Sequence, residues 1–234
     1  MSSEPHAWVT GSSSGIGEAI AQALLDAGWR VTGLDIAPPR IAHDRFAAQR
    51  VDLSDGPATT ACVNTLLAAG TPEAAVHAAG VLRPAPLGAI DAGASELMWR
   101  LHTQCATLLA DRLLPAMAAA GRGRCVLLGS RVADGLPGRS QYAATKAALV
   151  ALARSWAAEV AAQGVTVNVV SPAATRTAML DDPARAAAAP RLPPIGRLIE
   201  PSEIAALVLF LLSPAAAAIT GQDLRICGGA SLAR

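Results

Sequence analysis

Short apolar runs alternate with longer stretches in which apolar residues recur every three or four positions, and the alternation persists along most of the chain. Strands are predicted near Ala7–Thr10 and Ala48–Val51, and at Arg30–Leu34, Ala74–His77, Cys125–Leu128, Thr166–Val170 and Leu224–Ile226. Helices are predicted at Ile16–Ala27, Ala58–Ala69, Ser95–Ala119, Gln141–Ala162 and Pro201–Leu212. Strand and helix in regular succession imply an α/β fold, a doubly wound parallel sheet of about seven strands flanked by helices on both faces. Such sheets hold ligands beyond the carboxyl ends of their strands. The rhythm breaks at 178–194, where Asp181-Asp182, an alanine run and several prolines predict a short substrate loop, either a plain surface connection or a lid.

Composition narrows the picture further. The 234 residues, 52% hydrophobic and 16% charged, suit one domain spanning 1–234, and neither a repeat nor a linker-like tract divides them. Nineteen basic against eighteen acidic side chains leave a net charge of +1, too little for the broad positive field that nucleic acid or an anionic membrane requires. Cys62, Cys105, Cys125 and Cys227 lie far apart without metal-ligand spacing, so neither a metal nor a disulfide framework is expected. The start of the chain does not read as a secretory signal, and the longest apolar run, Ile204–Leu212, is too short to span a bilayer. A cytoplasmic protein is therefore expected. Only 3% of residues are aromatic, so large anchors are few and an oligomer interface is expected to complete part of the core.

The first strand leads directly into Thr10-Gly11-Ser12-Ser13-Ser14-Gly15-Ile16-Gly17 and then a helix. Glycines there allow a tight turn and close approach to a pyrophosphate, and the helix start supplies N–H groups and positive potential. Asp35 ends the second strand, where a carboxylate can accept from ribose hydroxyls and repel a 2′-phosphate, which argues for NAD over NADP; a turn before Pro38-Pro39 is its competing role, and Arg40 nearby weakens the preference. Asp52, after the third strand, suits either an adenine contact or a turn.

One tyrosine occurs in the chain, Tyr142, and one lysine, Lys146, while the other eighteen basic residues are arginine. Four apart on a helix, the two share a face. A compact ammonium about 4 Å from a phenol is worth about 4 kcal/mol at an effective dielectric of ~20, enough to bring the phenol toward proton exchange near neutral pH. Ser130 follows the strand Cys125–Leu128, at the sheet edge where its hydroxyl can hold a reacting oxygen beside Tyr142.

With these residues in place the chain resembles the short-chain dehydrogenase/reductase family over nearly its whole length. The likeness rests on Thr10–Gly17, Asp35, Ala78-Ala79-Gly80, Ser130 and Tyr142-x-x-x-Lys146, with Gly196-Arg197-Leu198, Pro201-Ser-Glu-Ile, Thr220-Gly221-Gln222 and Gly228-Gly229 near the end. It implies a Rossmann fold, an NAD cofactor, and a hydride transfer between an alcohol and a ketone in which Tyr142 is the general acid/base, Lys146 also meets the nicotinamide ribose, and Ser130 polarises the substrate oxygen. The cofactor-binding set it implies is Gly11, Ser13, Ser14, Ile16, Gly17, Asp35, Asp52, Leu53, Ala79, Gly80, Tyr142, Lys146, Pro172 and Thr177. It also implies a homotetramer or homodimer built on the long helices Ser95–Ala119 and Gln141–Ala162.

Three positions depart from the family pattern. Its catalytic asparagine, counted back thirteen residues from Pro115, falls on His102. His102 either substitutes in the proton relay as a further catalytic residue or marks weakened catalysis. Ala173 replaces a glycine after Pro172, and Ala78 replaces the asparagine of the Asn-Ala-Gly turn. Two further readings follow. The stretch Ala79–Arg83 and the closing Gly228–Leu232 are similar to cyclic dihydrodiol dehydrogenases, with Arg83 either a carboxylate partner or a solvated loop residue. Alternatively, the chain is an NAD-binding sensor or scaffold.

Overall fold

The computed structural model describes residues 4–181 and 192–232. Seven parallel strands form one sheet: β1 (His6–Thr10), β2 (Arg30–Asp35), β3 (Phe46–Arg50), β4 (Ala74–His77), β5 (Gly123–Leu128), β6 (Val165–Pro172) and β7 (Asp223–Ile226). Their order across the sheet is β3-β2-β1-β4-β5-β6-β7. The doubly wound Rossmann arrangement is thus the observed one. The direction of winding reverses between β1 and β4, where Thr10 lies opposite both Leu34 and His77. Two chain turns leaving adjacent strands in opposite directions open a crevice at that point.

Alternation along the strands sorts the core into two layers. One face carries Trp8, Leu127 and Val167 against α2 (Gly56–Ala68), α4 (Cys105–Ala119) and α5 (Ser140–Val160). Val9, Val126 and Val170 point to the other face, against α1 (Gly15–Asp26) and α6 (Pro201–Leu212). Strand β6, buried along all eight residues, uses apolar side chains on both sides. No helix among the described residues is long and apolar enough to cross a membrane.

Predicted boundaries moved where a cap or an edge decided them. Helix α2 starts two residues early because Asp55 accepts from the Ala58 N–H at 3.0 Å and Pro57 suits the first turn. The edge strand β3 begins at Phe46, two residues before the predicted start; most of it is exposed, so burial left little pattern to read. Phe46 is held by Gly33: a Cβ on that glycine would lie 2.6 Å from the Phe46 ring and 2.3 Å from Ser12 Oγ.

The predicted helix Ser95–Ala119 is in fact α3 (Ala92–Trp99), a π-helical turn (Arg100–Gln104) and α4 in succession. Asp91 caps α3 through the Ala94 N–H, which moves its start three residues earlier. A π-turn adds a residue to the helical ladder and re-aims the side chains within it. His102 lies at its centre, an irregularity that apolar spacing does not announce. Of the predicted loop 178–194, Ala178–Asp181 is a 3₁₀ turn. Residues 182–191, including Asp182, lie outside the described residues, and with them most of the predicted lid.

Helix α5 positions the lone tyrosine and lysine, so its packing can be tested apart from chemistry. Leu149 is 0% exposed within the α4/α5 layer. Leu149→Ala is expected to cost about 2–5 kcal/mol, seen as a lower urea midpoint with an unchanged slope of unfolding.

Candidate active site

The turn after β1 is built for close approach. Gly11 has φ 68°, and a Cβ there would meet Ala79 N and Cα at 2.9 Å. A Cβ on Gly17 would stand 2.1 Å from the Gly11 carbonyl oxygen. The first turn of α1 therefore folds directly onto the glycine turn, and Ser14, its N-cap residue, offers no side-chain cap to the helix N–H groups. Thr10 ties this turn to the one after β4, its hydroxyl accepting from the Ala78 and Ala79 N–H groups, both at 3.0 Å. Asp35 is aimed by the same turn: its carboxylate accepts from Ser13 N–H at 2.9 Å and Ala37 N–H at 3.0 Å.

A cavity of about 1180 Å³ runs from this turn along the carboxyl edge of the sheet. Asp35, Asp52 and Leu53 line it with Ala79 and Gly80, and so do Ser130, Tyr142, Lys146 and Pro172; Thr177, also in the wall, reaches the glycine turn, its Cγ2 3.1 Å from where a Cβ on Gly15 would stand. Ser130 Oγ accepts from Val132 N–H at 3.2 Å, which leaves the hydroxyl hydrogen to donate elsewhere. Lys146 is 5% exposed; its amine donates to the Leu128 carbonyl at 2.7 Å and sits 5.7 Å from the centre of the Tyr142 ring. Burial lowers the amine to about 7, far below an ordinary lysine. The shared helix face is as expected. The charge that is to acidify Tyr142 is itself poised near neutrality.

The family described as enoyl-(acyl carrier protein) reductase matches residues 11–231. A solved structure described as a short chain dehydrogenase/reductase family protein superposes with a TM-score of 0.85, at 33% identity and with 99% of each chain covered. This chain belongs to the short-chain dehydrogenase/reductase family. Among its relatives is 3-oxoacyl-[acyl-carrier-protein] reductase of Vibrio harveyi, 35% identical over 240 residues, covering 95% of this chain and 96% of the relative. The 2,3-dihydro-2,3-dihydroxybenzoate dehydrogenase of Escherichia coli is 35% identical over 243 residues, covering 96% of both. The cis-4-hydroxycyclohexanecarboxylate dehydrogenase of Sinomonas cyclohexanicum is 35% identical over 235 residues, covering 94% of both. As a short-chain dehydrogenase/reductase the chain is an oxidoreductase of a family that binds a nicotinamide cofactor.

Most predicted site residues of this family member meet in the one cavity, including Gly11, Ser14, Ile16 and Gly17. Two do not reach its wall. Ser13 is 4% exposed behind the glycine turn and acts on Asp35 through its N–H. His102 is 0% exposed, with its ring nitrogens against Val81 N–H and Thr145 Oγ1. The turn role of Asp52 is visible, one carboxylate oxygen accepting from both the N–H and the hydroxyl of Ser54, while the side of the residue still faces the cavity. Arg83 lines a separate pocket of about 230 Å³, shared with Arg139, and donates to the carbonyl of its neighbour Leu82. Sequence reasoning assigned no site role to His77, Arg131 or Arg139, and placed Thr10 only at the head of the glycine turn. Arg139 stands three before Tyr142 and Arg131 directly after Ser130, a signal available in the spacing; the hydroxyl of Thr10 carried none.

Buried bases give the cofactor-free protein a definite pH response. His77 is lowered to about 4 by burial and then by the Lys146 charge, His102 well below its usual value by burial, Lys146 and His77, and half-buried His6 to about 4 by burial and Arg30. Below about 6.5 the unfolded chain binds protons that the folded one refuses, so stability falls as pH drops from there toward 4. Lys146 acts in the same direction between about 7 and 10.5, favouring the fold as pH rises. Burial raises Cys105 and Cys125 from 9 to about 12, so above about 9 they oppose the lysine. Chemical denaturation across pH is expected to show stability climbing from about 4 to 6.5 and again from about 7 to 9. Lys146→Met should be more stable than the parent at pH 7, lose the second rise and flatten the first, because the Lys146 charge helps to lower both buried histidines.

Proposed function

We propose that this chain is an NAD(H)-dependent oxidoreductase that interconverts a secondary alcohol and a ketone on a small organic substrate. The observation that carries the reading is that the lone tyrosine and the lone lysine share a cavity wall with Ser130 and with the glycine turn. A dinucleotide fits that turn: Gly11 and Gly17 stand where a Cβ has no room, and the uncapped start of α1 suits a pyrophosphate. When bound, the nicotinamide supplies or accepts the hydride. Ser130 donates its hydrogen to the substrate oxygen and fixes it. Tyr142 gives that oxygen a proton in reduction or takes one in oxidation. Lys146, while charged, favours the phenolate and holds the residue pair oriented through its bond to Leu128.

For the cofactor, Asp35 supports NAD because its carboxylate lines the cavity at the adenosine end. Arg40, the cation that competes with this preference in sequence, pairs at 3.9 Å with Glu18 and is not in the cavity wall. Asp35→Ala is expected to shift the ratio of NADP to NAD affinity by about tenfold toward NADP, about 1.4 kcal/mol, measured by fluorescence titration.

For the substrate, a second reading has its own support. Arg131 and Arg139 line the catalytic end of the cavity among Leu136, Leu97 and Met179, a combination that suits a cyclic hydroxy acid or dihydrodiol acid. Two relatives carry such compounds in their names. In this reading the carboxylate partner is Arg131 or Arg139, which line the catalytic cavity, whereas Arg83 lines the neighbouring pocket.

The cytoplasm, with its dinucleotide pool, is the proposed setting, and a homotetramer or homodimer through α4 and α5 the proposed assembly. The purified protein, screened with NAD and NADP against secondary alcohols, cyclic diols and hydroxy acids, is expected to turn over with NAD. Tyr142→Phe should lower kcat by about a hundredfold or more while cofactor affinity stays within about threefold. Cofactor binding without turnover across the panel, unchanged in Tyr142→Phe, would instead establish the sensor or scaffold reading.

A further inference from the structure

Two of the four histidines lie behind the catalytic wall. His77 ends β4 at 3% exposure, and His102 sits in the π-turn at 0%. Every ring nitrogen has a partner, and the partners determine where each proton resides. Thr10 Oγ1 already accepts from two backbone N–H groups, so its single hydrogen donates to His77 Nδ1 at 3.0 Å. The His77 proton is therefore on Nε2, from which it donates to the His102 carbonyl at 3.2 Å. At His102 the order is reversed. Nε2 accepts from Val81 N–H at 3.0 Å, and the proton sits on Nδ1, donating to Thr145 Oγ1 at 2.8 Å. Thr145 in turn donates to the Tyr142 carbonyl at 2.8 Å.

These bonds form one directed chain from the turns after β1 and β4, through two imidazoles, to the backbone of the residue that handles the proton. We propose that His77 and His102 are a pair of positioning residues, neutral and in opposite tautomers, that holds the Tyr142 helix against the cofactor turns, and that His102 does not carry the reaction's proton. The catalytic part of this rests on the Tyr142 reading above; the tautomers do not.

A proton added to His102 would set Nε2–H against Val81 N–H, and one added to His77 would set Nδ1–H against the Thr10 hydroxyl hydrogen. The charged and titratable groups around the pair work the same way. The Lys146 amine and His102 Nε2 lie 3.7 and 3.0 Å from one point above Gly80, where a side chain would stand. The Tyr142 ring meets His102 edge-on at 5.5 Å between centres. Cys105 Sγ is 4.0 Å from His77 Nδ1, and burial keeps it a thiol up to about 12. Neither Lys146 nor Cys105 supplies a negative charge at neutral pH to compensate an imidazolium.

The test uses the full chain labelled with ¹⁵N-histidine, without cofactor, and two-bond ¹H–¹⁵N correlation spectra from about pH 6 to 8, the range in which an ordinary histidine titrates. His77→Asn and His102→Asn assign the signals. The expected result is His77 protonated on Nε2, His102 on Nδ1, and neither titrating. Titration of either ring in that range, or the same tautomer in both, overturns the pair. In turnover, His102→Asn, which keeps an N–H in place of Nδ1, should stay within about threefold of the parent kcat with an unshifted pH profile, while His102→Leu should lose about tenfold or more. Loss of the acid limb of the profile in His102→Asn would make His102 a proton carrier and overturn that half of the proposal. Because the spectra need no substrate, a failure of the dehydrogenase reading and a failure of the tautomer pair give different results.

Discussion

Burying one amine is the constraint around which the site is arranged. Lys146 gives up its water at 5% exposure and receives the carbonyl of Leu128, at the carboxyl end of β5. Desolvation of a charge on this scale is tolerated only where the group can discharge or find partners. Here it is held near the point of discharge. An amine in that condition responds to any charge brought near it, and its own charge adds to the burial that already keeps the neighbouring bases from taking a proton. The two buried histidines follow from this: beside a cation, in a dry environment, they serve as hydrogen-bonding groups.

The same constraint connects the two halves of the cavity. Gly80 has no side chain at the point the Lys146 amine and the His102 ring approach, and Gly11 has none where Ala79 passes. Both absences let turns from neighbouring strands close on each other. The reversal of strand order between β1 and β4 brings those turns together, and α5, packed across β6 through Leu149, Ala153 and Ala157, delivers Tyr142 and Lys146 from the far side of the sheet. Cofactor turn, catalytic helix and π-turn thus meet without any of them being adjacent in sequence.

His102, at the position where the family resemblance expects an asparagine, gains a physical context from His77. A histidine alone in the π-turn would place a second base beside the lysine. Paired as observed, its carbonyl in the π-turn is capped by the His77 imidazole, and its own ring caps the Val81 N–H in the turn after β4, so the irregular turn is tied to its neighbour at two points. The π-turn and the histidine pair are one structural unit.

Much of this was legible in the chain itself. Apolar spacing determined the seven strands, the helices and their alternation, because a sheet buried on both faces demands continuous apolar strands and helices with one apolar face. Local chemistry determined the glycine turn and the Tyr142–Lys146 face, since both depend on residues a few positions apart. Helix starts at Asp55 and Asp91, the early start of β3 and the π-turn escaped, being set by caps, an edge and a ring buried elsewhere. Only the tertiary structure decided that Arg83 faces a different pocket, that Ser13 acts through its N–H on Asp35, and that Thr10, His77, His102 and Thr145 form one chain. Hydrogen bonds between residues separated by 25 to 67 positions leave no periodicity to read, and the proton on each ring is determined by partners that only the folded chain brings into contact.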